Sequence, residues 1–183
     1  MLNTYNYESY EEYVQQQTKA NKKKLHWEFP KKDHVQWIKT YKLSAKNIIC
    51  HGTRSGGEQK AFKYWWPEAY VIGTEISETA SQFEMTVQHD FAIQKDEWIG
   101  KFDILYSNSF DHSINPDKTI QTWKRQMSLE GLMFIEWSEK HNSKSDSWDP
   151  VSGTKEQFAS FLNFHNINLQ EYHPNYHIWV CKA

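Results

Sequence analysis

The sequence predicts an α/β fold in which a mostly parallel sheet of seven strands carries helices on both faces and ends in an antiparallel hairpin. Short apolar runs alternate along the chain with segments of helical character, an order typical of parallel strands joined by helices. The runs are apolar over most of their length, as strands buried on both faces of a sheet are. The last two apolar segments flank a turn at Pro174 and Asn175, which favours a terminal hairpin.

The chain begins with a predicted helix over residues 5–24. Tyr10, Tyr13 and Val14 recur there at helical spacing, and neither glycine nor proline interrupts the segment. A polar segment rich in lysine overlaps its end and continues beyond it, with Lys19, Lys22, Lys23, Lys24, Lys31 and Lys32. This segment is either a solvated helix end with a loop or a basic patch that attracts an anionic substrate.

From residue 46 onward the sequence alternates between strands and helices. The predicted strands span residues 47–51, 70–75, 85–89, 102–107, 132–137, 167–172 and 176–182. The predicted helices span residues 57–66, 77–83 and 115–127, with a last helix after Thr154. Pro67 stops the first of these helices, and Pro116 suits the first turn of the third. Thr154 and Gln157 have the spacing of a capping box.

Length and charge limit the class of protein. A chain of 183 residues is long enough for one domain with a core, and a formal charge of −2 gives no global field that favours nucleic acid. Nine Trp, ten Tyr and ten Phe either fill core volume or line a pocket for a flat or cationic ligand. Because no linker is evident, we expect a single domain. Residues 1–45 would form a helical segment packing on the site, and residues 46–183 the main domain.

The cysteines and the chain start favour a cytoplasmic protein. Cys50 and Cys181 both lie in apolar strand-like runs, where they behave as small buried hydrophobes rather than as a disulfide framework. The start of the sequence lacks the basic and apolar regions of a signal peptide, and no apolar run is long enough to cross a membrane. We therefore expect no membrane partner, and the oligomeric state stays open.

One βαβ segment carries the functional signal. The strand 47–51 enters the turn Gly52-Thr53-Arg54-Ser55-Gly56, a helix follows, and the next strand closes on Glu75. A glycine-bearing turn lets the backbone approach a ligand closely, and an acid at the end of the next strand can accept both ribose hydroxyls. The arrangement is typical of a site for a ligand with an adenosine end.

Further segments in the same order resemble the class I S-adenosylmethionine-dependent methyltransferases, of the type 11 kind, whose fold is Rossmann-like. His89-Asp90-Phe91 is similar to the segment of that family that holds adenine. The block 102–112, the helix after Pro116 and the turn 128–131 into the next strand resemble the family's fourth-strand motif and the turn into its fifth strand. The resemblance is clear over about residues 46–137 and rests on topology in the C-terminal part.

The resemblance implies S-adenosylmethionine as cofactor and methyl transfer as activity. The cofactor-binding residues that it implies are His51, Gly52, Thr53, Arg54, Gly56, Glu75, Ile76, Asp90, Phe91, Ser107 and Asn108. This sequence departs from the family pattern at Cys50, where an acid is common, and at Arg54, where a central glycine is common. The Arg54 side chain must either point away from the cofactor or pair with its carboxylate.

The acceptor is expected next to the ends of the fourth and fifth strands. We expect Ser109, Trp137, Tyr13 and Gln17 to bind a small polar substrate, with residues 138–152 as a movable rim and the N-terminal helix over the cofactor mouth. We expect Gln17 and Lys19 of that helix to reach the cofactor carboxylate. Beside them, the candidates for catalysis are His112 and Asp111, with His112 as the base because its ordinary pKa is about 6.5. The other interpretation is that His112 is structural and that proximity alone drives the reaction.

Three other functions are less well supported. An inactive module that binds the nucleoside and acts through a partner is the main alternative to an enzyme. A dinucleotide oxidoreductase is disfavoured because Gly52 and Gly56 do not match the Gly-x-Gly-x-x-Gly pattern. A methyltransferase of amino groups in DNA is disfavoured because Asn108-Ser109-Phe110 lacks the proline pair of that class. No metal is expected, since His173 and His177 have no carboxylate at ligand spacing.

Overall fold

A computed structural model describes residues 1–27, 32–138 and 144–183. The strands are β1 (Asn3–Thr4), β2 (Asn47–His51), β3 (Tyr70–Glu75), β4 (Thr86–Gln88), β5 (Phe102–Ser107), β6 (Met127–Glu136), β7 (Val151–Ser152), β8 (Asn168–His173) and β9 (Ile178–Lys182). The α-helices are α1 (Tyr10–Lys23), α2 (Lys32–Tyr41), α3 (Gly57–Trp65), α4 (Pro116–Gln126) and α5 (Lys155–Phe164). Short 3-10 helices cover Glu78–Gln82, Asp96–Trp98 and Phe110–His112. Lys31 and residues 139–143 of the predicted rim lie outside the described residues.

Seven strands form one sheet in the order β4-β3-β2-β5-β6-β9-β8, which confirms the predicted fold class. The five strands from β4 to β6 are parallel, and β9 pairs antiparallel with both β6 and β8. From β2 the chain moves outward to β3 and β4, then returns to the other side of β2 with β5. The strand order therefore reverses between β2 and β5, where the carboxyl ends meet in the register His51↔Ser107. Sheets of this type open their ligand crevice at that point.

The predicted helix caps form as the sequence indicates. The Asn115 side chain accepts the Lys118 amide at 2.9 Å, with Pro116 in the first turn of α4. Thr154 and Gln157 make a reciprocal capping box at the start of α5. These local bonds satisfy amides that a helix start leaves without intrahelical partners.

The N-terminal region differs from the prediction in two ways. Helix α1 begins only at Tyr10, because Ser9 caps it and the Tyr5 amide donates instead to the Pro150 carbonyl at 2.8 Å. The extended residues before α1 form β1, which pairs antiparallel with β7. Helix α2 follows the lysine-rich segment, where no separate helix was predicted, and it buries Val35 and Ile38 on its inner face.

Two apolar layers enclose the sheet. One packs α4 and α5 against it, and the other packs α2 and α3. Trp137, predicted to line the acceptor pocket, lies in the first layer with 1% of its surface exposed and stacks on Phe158 at 4.5 Å between ring centroids. Its Nε1 donates to the Gly153 carbonyl at 3.3 Å. The strand β6 ends at Glu136, and the Trp137 side chain that follows it packs into the core, so it supports the fold rather than a ligand.

The helices among the described residues are all too short or too polar to cross a membrane.

We predict that Trp137→Ala lowers the free energy of unfolding by about 3–5 kcal/mol, because it removes a buried, stacked ring and leaves a cavity. Tyr64→Ala is the matched control: this ring is 79% exposed, and its loss should change stability by about 0.5 kcal/mol or less. Urea unfolding followed by fluorescence measures both. Equal effects of the two substitutions would show that Trp137 is not a core residue.

Candidate functional site

A cleft with an empty volume of about 520 Å³ opens at the carboxyl ends of β2, β3 and β5. Its sheet wall comes from Gly52, Arg54, Glu75, Ile76, Asp90, Phe91, Ser109 and His112. Its opposite wall is helix α1, through Tyr13, Gln17, Ala20, Asn21 and Lys24. The cleft therefore coincides with the place where the strand order reverses, and most of the predicted site residues that face a ligand meet there.

Gly52 allows the two central strands to close on each other. Its φ of +73° is in the left-handed region, and a Cβ at this position would lie 2.5 Å from the Ser109 Cβ. The Ser109 hydroxyl donates to the Gly52 carbonyl at 3.0 Å, which joins the ends of β2 and β5. A side chain at Gly52 would separate these strand ends, and the floor of the cleft would be lost.

Arg54 stands where the family pattern has a central glycine. Its backbone has the left-handed conformation that favours glycine, with φ at +44°. Its amide donates to Glu75 Oε2 at 3.1 Å, so the turn is tied to the end of β3. Burial lowers the pKa of the guanidinium, and the charges of Glu58 and Glu75 oppose that change. Arg54 lines the cleft, and its pairing with a cofactor carboxylate stays a prediction.

Glu75 is the buried acid at the ribose position of the family. Oε2 accepts the Arg54 amide, and Oε1 accepts the Ser77 amide at 2.9 Å. Burial raises the pKa of the carboxyl, whereas these two amides and the neighbouring Asn21 lower it. Asn21 Oδ1 accepts the Thr79 hydroxyl at 2.9 Å, but its buried Nδ2 has no partner of normal geometry among the described residues. A carboxylate beside a side-chain amide fits a ligand diol, which both accepts and donates.

Asp90 stands at the other end of the cleft. Oδ1 accepts the Ala92 amide at 2.8 Å, and Oδ2 accepts the Tyr10 hydroxyl at 2.9 Å. Burial, then the Asp90 charge, raises the pKa of Tyr10, so this phenol stays a donor. The Phe91 ring reaches within 3.6 Å of the Cβ position at Gly52. An apolar ring beside a carboxylate suits a flat base that carries an amino group.

Helix α1 crosses the cleft from Asp90 to the end of β3. Tyr10 contacts Asp90 at one end, and Lys22 pairs with Glu78 at the other. Between them the Tyr13 hydroxyl donates to the His112 carbonyl at 3.1 Å, and Gln17 Nε2 donates to the Trp148 carbonyl at 3.0 Å. The helix contacts the groups to which the resemblance assigns the nucleoside, and it forms one wall of the cleft.

His112 is held from two sides. Nδ1 lies 3.0 Å from Gln17 Oε1 and 2.7 Å from the Trp148 carbonyl. Both are acceptors, so Nδ1 carries the proton and Nε2 holds the lone pair of the neutral ring. Nε2 is 4.0 Å from Oδ1 of the buried Asp111. The contacts favour the structural role that the sequence left open, in which His112 joins α1 to the loop before β7.

The same corner of the molecule is where a metal ion would find ligands. Asp111, His112 and Asp149 each offer one ligand atom within 4.8 Å of the others. His112 Nδ1 already contacts two carbonyl oxygens, so Nε2 is the ring nitrogen left for a metal. The absence of a metal stays a prediction.

Several predicted cofactor residues lie behind the cleft rather than in it. His51 is buried, its ring nitrogens contact Thr74 Oγ1 at 2.9 Å and Gln126 Oε1 at 2.8 Å, and burial lowers its pKa to about 3. Ser107 donates to the His51 carbonyl at 3.0 Å. Because their polar atoms are already used inside the protein, these side chains support the strand ends and do not reach a ligand.

Thr53, Gly56 and Asn108 also stand outside the lining of the cleft. Thr53 Oγ1 accepts from Gln59 Nε2 at 2.9 Å, and Gly56 precedes α3 with φ at +74°. Asn108 points towards Glu58, to which its Nδ2 donates at 3.3 Å. The turn therefore presents the Gly52 backbone and Arg54 to the cleft. Thr53, Gly56 and Asn108 support the turn from the side away from the cleft.

The sequence missed three lining residues of α1, namely Ala20, Asn21 and Lys24. They share a helix face with Tyr13 and Gln17, at spacings of three, four and seven residues. That periodicity was the signal available. Lys19, expected to reach the cofactor carboxylate, is exposed on another face. Lys24 lies in the cleft instead, with its Nζ 5.4 Å from the centroid of the Trp148 ring.

Comparison with solved structures defines the class of fold. A 1,6-didemethyltoxoflavin-N1-methyltransferase from Burkholderia thailandensis, solved with 1,6-didemethyltoxoflavin and S-adenosylhomocysteine, matches with a TM-score of 0.71 and 10% identity over 100% of this chain and 94% of that chain. A SAM-dependent methyltransferase from Aquifex aeolicus matches with a TM-score of 0.62 and 12% identity over 81% and 87% of the two chains.

A third match is a chain of a Haloferax volcanii complex between a methyltransferase and its activator, with a TM-score of 0.66 and 12% identity over 93% and 96% of the two chains. Neither a family model nor a curated sequence matches the chain. The protein therefore has the fold of the class I S-adenosylmethionine-dependent methyltransferases, which confirms the resemblance at the level of the fold.

We predict that Glu75→Gln weakens binding of S-adenosylhomocysteine by about 1.5–3 kcal/mol, because the ribose hydroxyls lose a charged acceptor. The amide keeps one oxygen for the backbone, so the protein should still unfold cooperatively. Glu68→Gln, an exposed acid after α3, is the control and should leave affinity unchanged. Calorimetric titration measures both. Unaltered affinity of the Glu75 variant would place the ribose elsewhere.

His112→Ala should lower the melting temperature and the affinity for S-adenosylhomocysteine together. The substitution removes the hydrogen bonds of Nδ1 to Gln17 and the Trp148 carbonyl, a loss of about 1–3 kcal/mol. Thermal unfolding and calorimetry detect the two changes. If turnover falls about 10²–10⁴-fold while both quantities hold steady, His112 is the catalytic base.

Proposed function

We propose that the protein transfers the methyl group of S-adenosylmethionine to a small polar acceptor. The observation that carries the proposal is that Glu75, Asp90 and the Gly52 turn face one cleft at the reversal point of the sheet. Their chemistry suits the ribose, the adenine and the close backbone approach that such a nucleoside needs. In support, the Burkholderia thailandensis neighbour is a methyltransferase solved with S-adenosylhomocysteine.

In this proposal the residues of the chain bind, orient and exclude water. Glu75 accepts the ribose hydroxyls while Asn21 Nδ2 donates to the same diol, and Asp90 accepts the adenine amino group. Lys24 is the cation of α1 that faces the cleft and suits the amino-acid carboxylate of the ligand. The cofactor when bound supplies an activated methyl group. The task left to the protein is to hold the acceptor in line with the methyl carbon, about 3 Å away.

The acceptor in this proposal is a small polar molecule. The cleft is lined by charged, polar and aromatic side chains, and the near-neutral charge of the chain does not favour nucleic acid. The Burkholderia thailandensis neighbour acts on 1,6-didemethyltoxoflavin, also a small molecule. Cys50 and Cys181 are free and buried, which is consistent with the cytoplasmic setting that we propose.

The N-terminal region belongs to the site in this proposal. Residues 1–45 contribute the arm that covers the cleft, and residues 46–183 contribute the sheet that holds the nucleoside. The arm is anchored by the β1–β7 pairing and by the buried Tyr13. It closes the cleft without being part of the sheet, so binding depends on it more than folding does.

Calorimetric titration with S-adenosylmethionine, S-adenosylhomocysteine and NAD tests the proposal directly. We predict binding of both sulfur nucleosides and none of NAD, because Gly52 and Gly56 lack the dinucleotide pattern. Binding of NAD alone would overturn the proposal. Binding of the sulfur nucleosides with no methyl transfer to any acceptor would favour the alternative of an inactive binding module.

Deletion of residues 1–24 should abolish cofactor binding while residues 46–183 still unfold cooperatively. The deletion removes the whole α1 wall of the cleft, including Asn21 and Lys24. A double variant, Asn21→Ala with Lys24→Ala, keeps the arm and should show an intermediate loss. Affinity by calorimetry and unfolding by circular dichroism give the two readouts. Full affinity in the truncated protein would rule out a closing role for the arm.

A further inference from the structure

A second polar cluster lies on the α2 and α3 face of the sheet, at the same carboxyl ends that form the cleft. We call it the carboxylate cluster; its members are His34, Glu58, Tyr106, Asn108 and Glu136. They come from α2, α3, β5, the residue after β5 and the end of β6. None of them lines the cleft described above, and the proposed nucleoside site uses none of them.

Glu136 and His34 form one half of the cluster. Glu136 Oε1 accepts the Tyr106 hydroxyl at 2.6 Å and lies 2.6 Å from His34 Nδ1. Because a carboxylate only accepts, Nδ1 is the donor of this contact. The His34 side chain is 4% exposed, and its buried Nε2 has no hydrogen-bond partner among the described residues. A buried polar atom of this kind normally has a hydrogen-bond partner.

Glu58 forms the other half. The residue is 5% exposed, and Oε1 accepts the Asn108 amide group at 3.3 Å. Burial raises its pKa to about 7; a hydrogen bond from its own backbone amide, the Asn108 bond and the Arg54 charge lower it, and the Glu136 charge raises it. Tyr106 and Cys50 also face this carboxyl, and burial raises the pKa of both, so neither adds a charge near neutral pH. The cluster therefore holds two carboxyl groups against one cation, Arg54.

The cluster adjoins the end of the cleft where the reactive methyl group would lie. The cleft runs from Asp90 past Glu75 to Gly52 and Ser109, so a nucleoside bound by the first two places its amino-acid end at the last two. The Ser109 hydroxyl is 3.0 Å from Asn108 Oδ1, and Asn108 in turn binds Glu58. The Glu136 side chain is 22% exposed, which opens this side to solvent while α1 covers the other.

Resting on the function proposed above, we propose that the carboxylate cluster binds the methyl acceptor and that the acceptor is a basic amine. Two carboxyl groups beside the Tyr106 hydroxyl match an ammonium group, which offers three N–H donors and a positive charge. An anionic acceptor would be repelled at the same place. A neutral hydroxyl would leave the excess negative charge of the cluster uncompensated.

The reaction balances with Glu58 as the proton acceptor. Glu58 takes one proton from the acceptor ammonium, and the freed nitrogen lone pair forms the N–C bond to the sulfonium methyl carbon. The C–S bond breaks with its electron pair left on sulfur, and the positive charge moves to the methylated nitrogen. Glu58 then returns its proton to solvent. A carboxyl that titrates near neutral pH suits this exchange. Glu136, held by His34 and Tyr106, positions the ammonium.

The test is a pair of probes of nearly equal shape, n-butylammonium and n-butanol, titrated calorimetrically at pH 8 and constant ionic strength. The full chain is used with and without saturating S-adenosylhomocysteine. We expect n-butylammonium to bind and n-butanol not to bind. The double variant Glu58→Gln with Glu136→Gln should weaken the ammonium about tenfold or more, since two charged acceptors are lost. The control Glu68→Gln should bind like the wild type.

Two further measurements keep the outcomes separate. Glu58→Gln alone removes a buried charge, so it should fold at pH 8 and still weaken the ammonium; it replaces the double variant if that one does not fold. The imidazole resonances of His34 should shift with n-butylammonium and not with n-butanol. Equal binding of the two probes, or of the ammonium to wild type and variant, overturns this inference. Failure of S-adenosylhomocysteine to bind would instead overturn the proposed function, whatever the amine does.

Discussion

The site depends on how closely the ends of β2 and β5 approach each other. At Gly52 the backbone lies so near Ser109 that a Cβ would stand 2.5 Å from the Ser109 Cβ, and the Ser109 hydroxyl closes the gap by donating to the Gly52 carbonyl. Because the strand order reverses between these two strands, their ends form the floor of the crevice. Every lining residue of the sheet is placed relative to this contact, since the turn that begins at Gly52 also fixes Arg54 and Glu75.

The floor is covered by a segment that lies outside the sheet. Helix α1 presents polar side chains to the same acids that a nucleoside would use, and it is anchored by β1 pairing with β7. Water is thereby excluded from buried carboxylates, which strengthens their interactions with any donor that replaces it. The arm forms one wall of the cleft, and in our proposal the acceptor approaches from the α2 and α3 side.

Arg54 links two regions of negative charge. It lines the cleft, and its charge acts on both Glu75 and Glu58, which lie on opposite sides of the β2 turn. Its backbone keeps a shape that favours glycine, with φ at +44°. Because Arg54 stands where glycine is common, it places a guanidinium between Glu75 and the carboxylate cluster. The two sites are therefore electrostatically coupled, although they share no lining residue.

The sequence alone determined the fold class and the principal ligand-facing acids. Strand periodicity and the caps at Asn115 and Thr154 are local, so they could be predicted with correct or nearly correct bounds. The positions of Glu75 and Asp90 at strand ends were equally clear, because parallel strands present their carboxyl ends at one edge. Only the tertiary structure decided which of the side chains near these two acids face the cleft.

His51 and Trp137 show the limit of sequence reasoning. Both lie at the ends of strands that were predicted in the right places, yet both are buried behind the cleft, because successive side chains face opposite sides of a strand and the sequence did not show which side is the core. The α1 face with Asn21, and the meeting of Glu58 with Glu136, arise from contacts between residues far apart in the chain. No local pattern encodes such contacts, since they are set by how the helices pack on the finished sheet.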